Sequence, residues 1–248
     1  MSAELSGTTA LVTGATSGIG RAAAIELARR GAKVVVSGRD EARGQQVVDG
    51  IREAGGEALF LAGDLSDAAS ARSLANRAKE QAGQVDVLVN NAGIFPVGPT
   101  HETSEQDFES VYAINVKAPF FLVAELAPDM ASRGHGAIVN VTTMAAELGA
   151  SGASLYGSSK AALTLLTKAW AAEYGPFGVR VNAVSPGPTR TEGTSGMEEK
   201  LKAIASASPA GRVGTAEEIA SAIAYLATDA AGFIHGAILA VDGGRTAV

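Results

Sequence analysis

Apolar runs of strand length alternate with helix-length amphipathic segments almost from one end of this 248-residue chain to the other. The candidate strands are Thr9–Thr13, Lys33–Ser37, Ala58–Ala62, Val85–Asn90, Ala137–Thr142, Val179–Val184 and Ala237–Val241. They are mostly apolar and β-branched, the reading of strands covered on both faces. Helical patterns fill the gaps at roughly 19–30, 41–54, 67–82, 104–114, 117–132, 155–174 and 216–228. Such a repeat needs right-handed crossovers, which predicts an α/β fold: a doubly wound parallel sheet of about seven strands with helices on both faces. No Pro- or Ser-rich linker and no break in composition divides the chain, so 1–248 reads as a single domain. Thr215 with Glu218 fits a capping box, Ser66 is placed to start a helix, and Gly31, Gly55 and Gly175 sit where helices should stop.

Composition narrows the function classes. The chain is 46% hydrophobic and 19% charged, enough apolar material for a sizeable core. Its net charge of −6, without a Lys/Arg patch, argues against nucleic acid or an anionic membrane as partner. There is no cysteine, which removes disulfides and thiolate metal sites, and His101, His135 and His235 are scattered, so no metal is expected. No signal-peptide pattern and no apolar run of spanning length is visible, and a cytoplasmic protein is the expectation.

The first strand runs directly into TGATSGIGRAAAIELARR. Gly14, Gly18 and Gly20 allow a tight turn, close approach of a ligand to the backbone and close helix–strand packing. The helix that opens here offers unpaired N–H groups to a pyrophosphate, so Thr16, Ser17, Gly18, Ile19 and Gly20 are candidate dinucleotide contacts. The second strand ends in SGRD, where an acidic residue would bind the ribose hydroxyls of NAD; Gly38 stands there, followed by Arg39. A guanidinium suits a 2′-phosphate, which favours NADP(H) with NAD(H) as the alternative. No P-loop pattern and no G-x-S-x-G elbow occurs.

Farther along, LYGSSKAALTLLTKAW sets Tyr156 four residues before Lys160, on one face of a helix. Alone, the pair reads equally well as a half-buried phenol and a lysine reaching for solvent. Together with TGATSGIG at 13–20, GDL at 63–65, NNAG at 90–93, Asn115 in AINVK, and SPGPTRT at 185–191, it resembles the short-chain dehydrogenase/reductase family along essentially the whole chain. That resemblance implies a Rossmann-type fold and hydride transfer between NADP(H) and a ketone or secondary alcohol. Asp64 and Leu65 would then contact adenine, and Asn90, Asn91, Ala92 and Gly93 would lie along the adenosine ribose. Tyr156 would be the general acid/base, and Lys160 would hold the nicotinamide ribose and lower the Tyr156 pKa. Asn115 would mark a helix distortion that binds a water, and Thr189 and Thr191, after Pro186 and Gly187, would hold the carboxamide.

The family usually carries a serine thirteen residues before the tyrosine; this chain has Thr143. A hydroxyl is retained, so Thr143 is expected to serve as catalytic hydrogen-bonding partner, while Thr142 points to the opposite face and packs. The irregular segment at 186–212, with a short helical pattern at Met197–Ala205, is the expected substrate loop, and Phe95, Pro96, Met144, Glu147, Leu148 and Pro188 are further candidate pocket residues. Two other readings compete: an NAD-linked alcohol dehydrogenase of the same family, and an NADP-binding regulatory protein without turnover. Ala161, Leu165, Ala169 and Ala172 lie on overlapping faces of the helix at 155–174, where small side chains permit close helix approach, and with the last strand they lead by the same resemblance to an expected homotetramer.

Overall fold

In the computed structural model, residues 4–248 are described. The strands β1 (Thr9–Thr13), β2 (Lys33–Gly38), β3 (Glu57–Ala62), β4 (Val87–Asn90), β5 (Gly136–Val141), β6 (Val179–Pro186) and β9 (Ile238–Val241) form one parallel sheet in the order β3-β2-β1-β4-β5-β6-β9. All seven expected strands are present, and every pairing in the sheet is parallel. Two further two-residue strands, β7 (Thr189–Arg190) and β8 (Gly214–Thr215), pair with each other inside the segment expected to be irregular.

Helices α1 (Gly18–Arg29), α2 (Glu41–Glu53) and α8 (Ala216–Ala227) cover one face through residues such as Leu27, Ile51 and Ile223, packed on Val12, Val34 and Val139. Helices α3 (Ala68–Ala82), α5 (Ala118–Arg133) and α6 (Ser154–Tyr174) cover the other, around Leu11, Leu88 and Ile138. The strand order reverses between β1 and β4. Their carboxyl ends diverge toward opposite crossovers and open a crevice there, the position where doubly wound sheets bind ligands.

Helix α4 (Glu105–Tyr112) does not end before α5. A π-helical turn at Ala113–Lys117 joins the two into one 29-residue helix, Glu105–Arg133. It is long and apolar enough to span a membrane, contrary to expectation, but half of its most apolar window is buried in the protein and packs against α3 and the sheet. The capping box of Thr215 and Glu218 opens α8 as expected. Ser66 is not a cap: Asp67 accepts from Ser70 N at 2.7 Å and starts α3, since its carboxylate reaches the amide that Ser66 cannot. Gly31 and Gly55 take left-handed conformations after α1 and α2. Gly175 does not; the chain continues into a 3₁₀ turn, and Gly178 makes the reversal at φ 78°.

Candidate active site

The glycine loop is held from below by a stitched pair of strand ends. Thr13 Oγ1 donates to Val89 O (3.2 Å) and accepts from the amides of Asn91 and Ala92 (3.1 Å each). Asn91 Nδ2 returns bonds to the carbonyls of Thr13 (2.9 Å) and Gly14 (3.1 Å). Gly20 is fixed by this packing: a Cβ there would lie 2.3 Å from both Asn91 Nδ2 and Gly14 O. Gly18 turns the chain at φ 54° into α1, whose N-cap Ser17 makes no side-chain bond to the first turn.

From this loop a cavity of about 500 Å³ runs across the carboxyl ends of the strands. Gly14, Thr16, Ser17, Gly18 and Ile19 form its floor, Arg39, Asp64 and Leu65 one end, and Tyr156 and Lys160 the other. Pro186, Gly187, Thr189 and Thr191 wall it opposite Asn91, Ala92 and Gly93. Gly38 is a glycine by necessity, since a Cβ there would sit 2.5 Å from Thr16 Cγ2. The shape suits an extended dinucleotide: a glycine-lined floor at a helix N-terminus, a cation at one end and a proton-bearing group at the other.

Two expected contacts do not reach the cavity as inferred. Asn90 is buried in the sheet (1% exposed), its Nδ2 donating to Asn140 Oδ1 at 2.9 Å, and its Oδ1 has no protein partner. Residues on a strand alternate faces, so Asn91 emerges where Asn90 cannot. Gly20 likewise supports the loop from behind. Of the expected substrate-pocket residues, Phe95, Met144 and Pro188 line the cavity, while Pro96, Glu147 and Leu148 do not. Glu147 accepts from Ser185 Oγ at 3.4 Å instead.

The reaction end is built on three elements. Tyr156 and Lys160 come from the first two turns of α6, and Thr143 follows β5 as the N-cap of a 3₁₀ turn at Met144–Ala146. The Thr143 hydroxyl accepts from Ala145 N at 3.3 Å and stands near enough to the Tyr156 phenol to act on its pKa. Thr142 faces the other way, donating to Val184 O at 3.1 Å. Phe95 meets the Tyr156 ring edge-on, with centroids 6.1 Å apart.

Lys160 is 3% exposed and its Nζ donates to Val141 O at 2.8 Å. Burial disfavours its charged form and pulls its pKa down to about 8. Burial also raises the Tyr156 phenol above its ordinary value, and only the Thr143 hydroxyl pulls the other way. Lys160 is not among the groups acting on the phenol here, its Nζ being directed at a backbone carbonyl. Gly93 allows the lysine to lie so close to the chain: a Cβ there would be 3.3 Å from Lys160 Nζ and 3.1 Å from Asn115 Oδ1.

Asn115 occupies the π turn, fully buried, and bonds Ile94 on both sides: Oδ1 accepts from its N–H and Nδ2 donates to its carbonyl, both at 2.9 Å. A third bond runs from Nδ2 to Ser159 Oγ at 3.0 Å. The distortion expected at this residue is present, since Ala118 N–H reaches back five residues to Ala113 O. Its side chain is committed to tying α4–α5 and α6 to the loop after β4.

Two charged residues in or beside the cavity, Glu192 and Lys200, lie within the expected substrate loop without being singled out by the sequence. Glu192 Oε2 accepts from Gly18 N at 2.9 Å, and its Oε1 pairs with Arg21 at 2.6 Å. Burial pushes this carboxyl up, but the amide bonds and Arg21 hold it below the ordinary carboxylate range. With the Thr191 side chain 3.2–3.3 Å from a Cβ position on Gly18, it clasps the start of the substrate loop to the phosphate-type loop. Only its position directly after Thr191 signalled it.

A family model described as enoyl-(acyl carrier protein) reductase matches residues 14–246. A solved short chain dehydrogenase/reductase family protein is 48% identical, covers 99% of this chain and 100% of its own, and superposes with a TM-score of 0.92. This chain belongs to the short-chain dehydrogenase/reductase family. Within that family, cis-4-hydroxycyclohexanecarboxylate dehydrogenase of Sinomonas cyclohexanicum is 43% identical over 96% of each chain. A gluconate 5-dehydrogenase from Burkholderia cenocepacia, solved in complex with NADP and tartrate, is 31% identical with a TM-score of 0.94, over 100% of this chain and 98% of that one.

Proposed function

We propose that this dehydrogenase/reductase interconverts a secondary alcohol and a ketone with NADP(H), Tyr156 acting as general acid/base. The observation that carries the reading is the joining of Thr143, Tyr156 and Lys160 at one end of a glycine-floored cavity whose other end holds Arg39. Relatives named as dehydrogenases of a hydroxycyclohexanecarboxylate and of gluconate support the reaction class, and the NADP of a structural relative supports the cofactor.

The dinucleotide supplies the hydride donor or acceptor. Arg39 would pair with a 2′-phosphate, and the α1 amides that follow Gly18, whose own N–H is taken by Glu192, would hold the pyrophosphate. Lys160, carried to the inner wall by its bond to Val141 O, orients the adjoining ribose. Thr143 donates to the substrate oxygen and keeps the Tyr156 hydroxyl directed at it. In reduction, the carbonyl carbon gains hydride while its oxygen takes the Tyr156 proton; oxidation reverses both transfers. The raised phenol pKa keeps that proton in place at neutral pH, which suits an acid.

Leu165 is 69% exposed on α6, and Phe108 and Phe120 are exposed nearby on the long helix, which supports association into a homotetramer.

The test is turnover with NADPH over a panel of ketones. Tyr156→Phe is expected to lower kcat by about 10²–10⁴-fold, the range of general acid/base catalysis, while NADPH still binds. Arg39→Leu should raise the KM for NADPH and leave that for NADH unchanged. Undiminished turnover by Tyr156→Phe refutes the reading, as does NADPH binding without turnover of any panel member.

A further inference from the structure

The cavity has three cationic side chains in its walls, and the proposed reaction employs two. Arg39 stands at the far end beside Asp64, and Lys160 is fixed to Val141 O. The third is Lys200, on α7 (Glu198–Ser206). Met197, Lys200, Leu201 and Ile204 all line the cavity, a spacing that sets them on one face of the helix.

The other charges of α7 are accounted for. Glu198 accepts from Gly196 N at 3.0 Å, and Glu199 pairs with Lys202 at 2.7 Å on the outer side. Among the described residues, Lys200 has no ion pair and no side-chain hydrogen bond. The helix also lies toward the reaction end. Tyr156 meets Phe95, Phe95 Cζ is 3.5 Å from a Cβ position on Gly193, and Met197 N donates to Thr194 O at 3.1 Å as α7 begins.

We propose that the substrate carries a carboxylate on an alicyclic or aliphatic frame, and that Lys200 receives it. This rests on the reaction proposed above and names the substrate class of the same site. Met197, Leu201 and Ile204 on the same helix face, with Phe95 and Val97 elsewhere in the lining, offer apolar surface to a hydrocarbon frame, beside the hydroxyls of Thr191 and Thr194. Lys200 itself is exposed, so it can meet a carboxylate without first being desolvated, and water screens the contact to the scale of a surface ion pair. A single point charge suits a monoanion; a phosphate dianion draws several donors or a guanidinium fork, which this wall lacks.

The experiment compares kcat/KM with NADPH for 4-oxocyclohexanecarboxylate and 5-oxohexanoate against their methyl esters. In the wild type the acids are expected to be preferred, and Lys200→Met should lower the acid-to-ester ratio by about threefold to fivefold, the scale of a solvent-exposed ion pair. Lys200→Arg should retain most of the preference, and ester turnover and the KM for NADPH should stay unchanged in both. An acid-to-ester ratio equal in wild type and Lys200→Met overturns the proposal while leaving the reaction standing. So does a Lys200→Met effect confined to the KM for NADPH, which would turn the lysine toward the dinucleotide. If NADPH binds and none of the four compounds is reduced, the reaction itself fails and this proposal with it.

Discussion

Lys160 gives the sharpest quantitative test, because its burial is measurable without any substrate. With its folded pKa near 8 against an ordinary 10.5, the folded protein releases this proton while the unfolded chain still holds it. Where the unfolded state binds more protons, stability rises with pH. The cost of the buried ammonium is therefore fully present below about pH 8 and relieved as pH climbs toward 10.5. At about 1.4 kcal/mol per pH unit the whole span is worth about 3 kcal/mol, most of which falls between pH 7 and pH 10. Methionine at this position has similar length and no charge, so the difference between the two proteins isolates this one group. Urea denaturation of wild type and Lys160→Met at pH 7, 8, 9 and 10 should show the wild type gaining about 2–3 kcal/mol on the variant over that range. If the two stability curves run parallel to within about 0.5 kcal/mol, the lysine is not desolvated as described and the reasoning fails.

Thr143→Val should lower kcat/KM about 10²-fold or more, as loss of one preorganised donor does, with Thr143→Ser near wild type. Because the Thr143 hydroxyl is the one group pulling the Tyr156 pKa down, Thr143→Val should also move the phenol's limb of the pH–rate profile to higher pH; an unmoved limb counts against the contact. Glu192→Ala breaks the clasp between the substrate loop and Gly18. With both partners 45% exposed, the pair contributes at most about 1 kcal/mol, so cleavage within 190–212 in limited proteolysis should quicken by no more than about fivefold. A far larger effect would make Glu192 the main anchor of the loop.

Local patterns carried most of the fold. Val34–Val36 and Val179–Val184 read as strands because both their faces are covered, and the sheet obeys that reading. The patterns missed what depends on distant partners. Ser66 and Asp67 are equally good caps by residue type, and only the geometry at Ser70 separates them. Thr189–Arg190 forms a strand solely because Gly214–Thr215, some twenty-five residues on, lies beside it. The same division runs through the site. Gly14 and Gly18 are legible from their spacing in one turn, and Tyr156 and Lys160 from one helix face together with the family resemblance. Glu192 finds Gly18 across 174 residues of sequence, and Lys200 enters the cavity only through the packing of α7, and no local spacing announces either contact.

The pKa displacements of the site bear on direction. A phenol raised by burial and a lysine lowered by it are two consequences of one dry pocket, and both oppose charge. Burial favours the protonated form of Tyr156, and the ammonium to which the family resemblance assigns the lowering of its pKa is directed at Val141 O. In the reaction proposed above, such a pocket favours giving a proton to a developing alkoxide, and the balance between ketone reduction and alcohol oxidation would follow the charge brought in beside the Tyr–Lys pair.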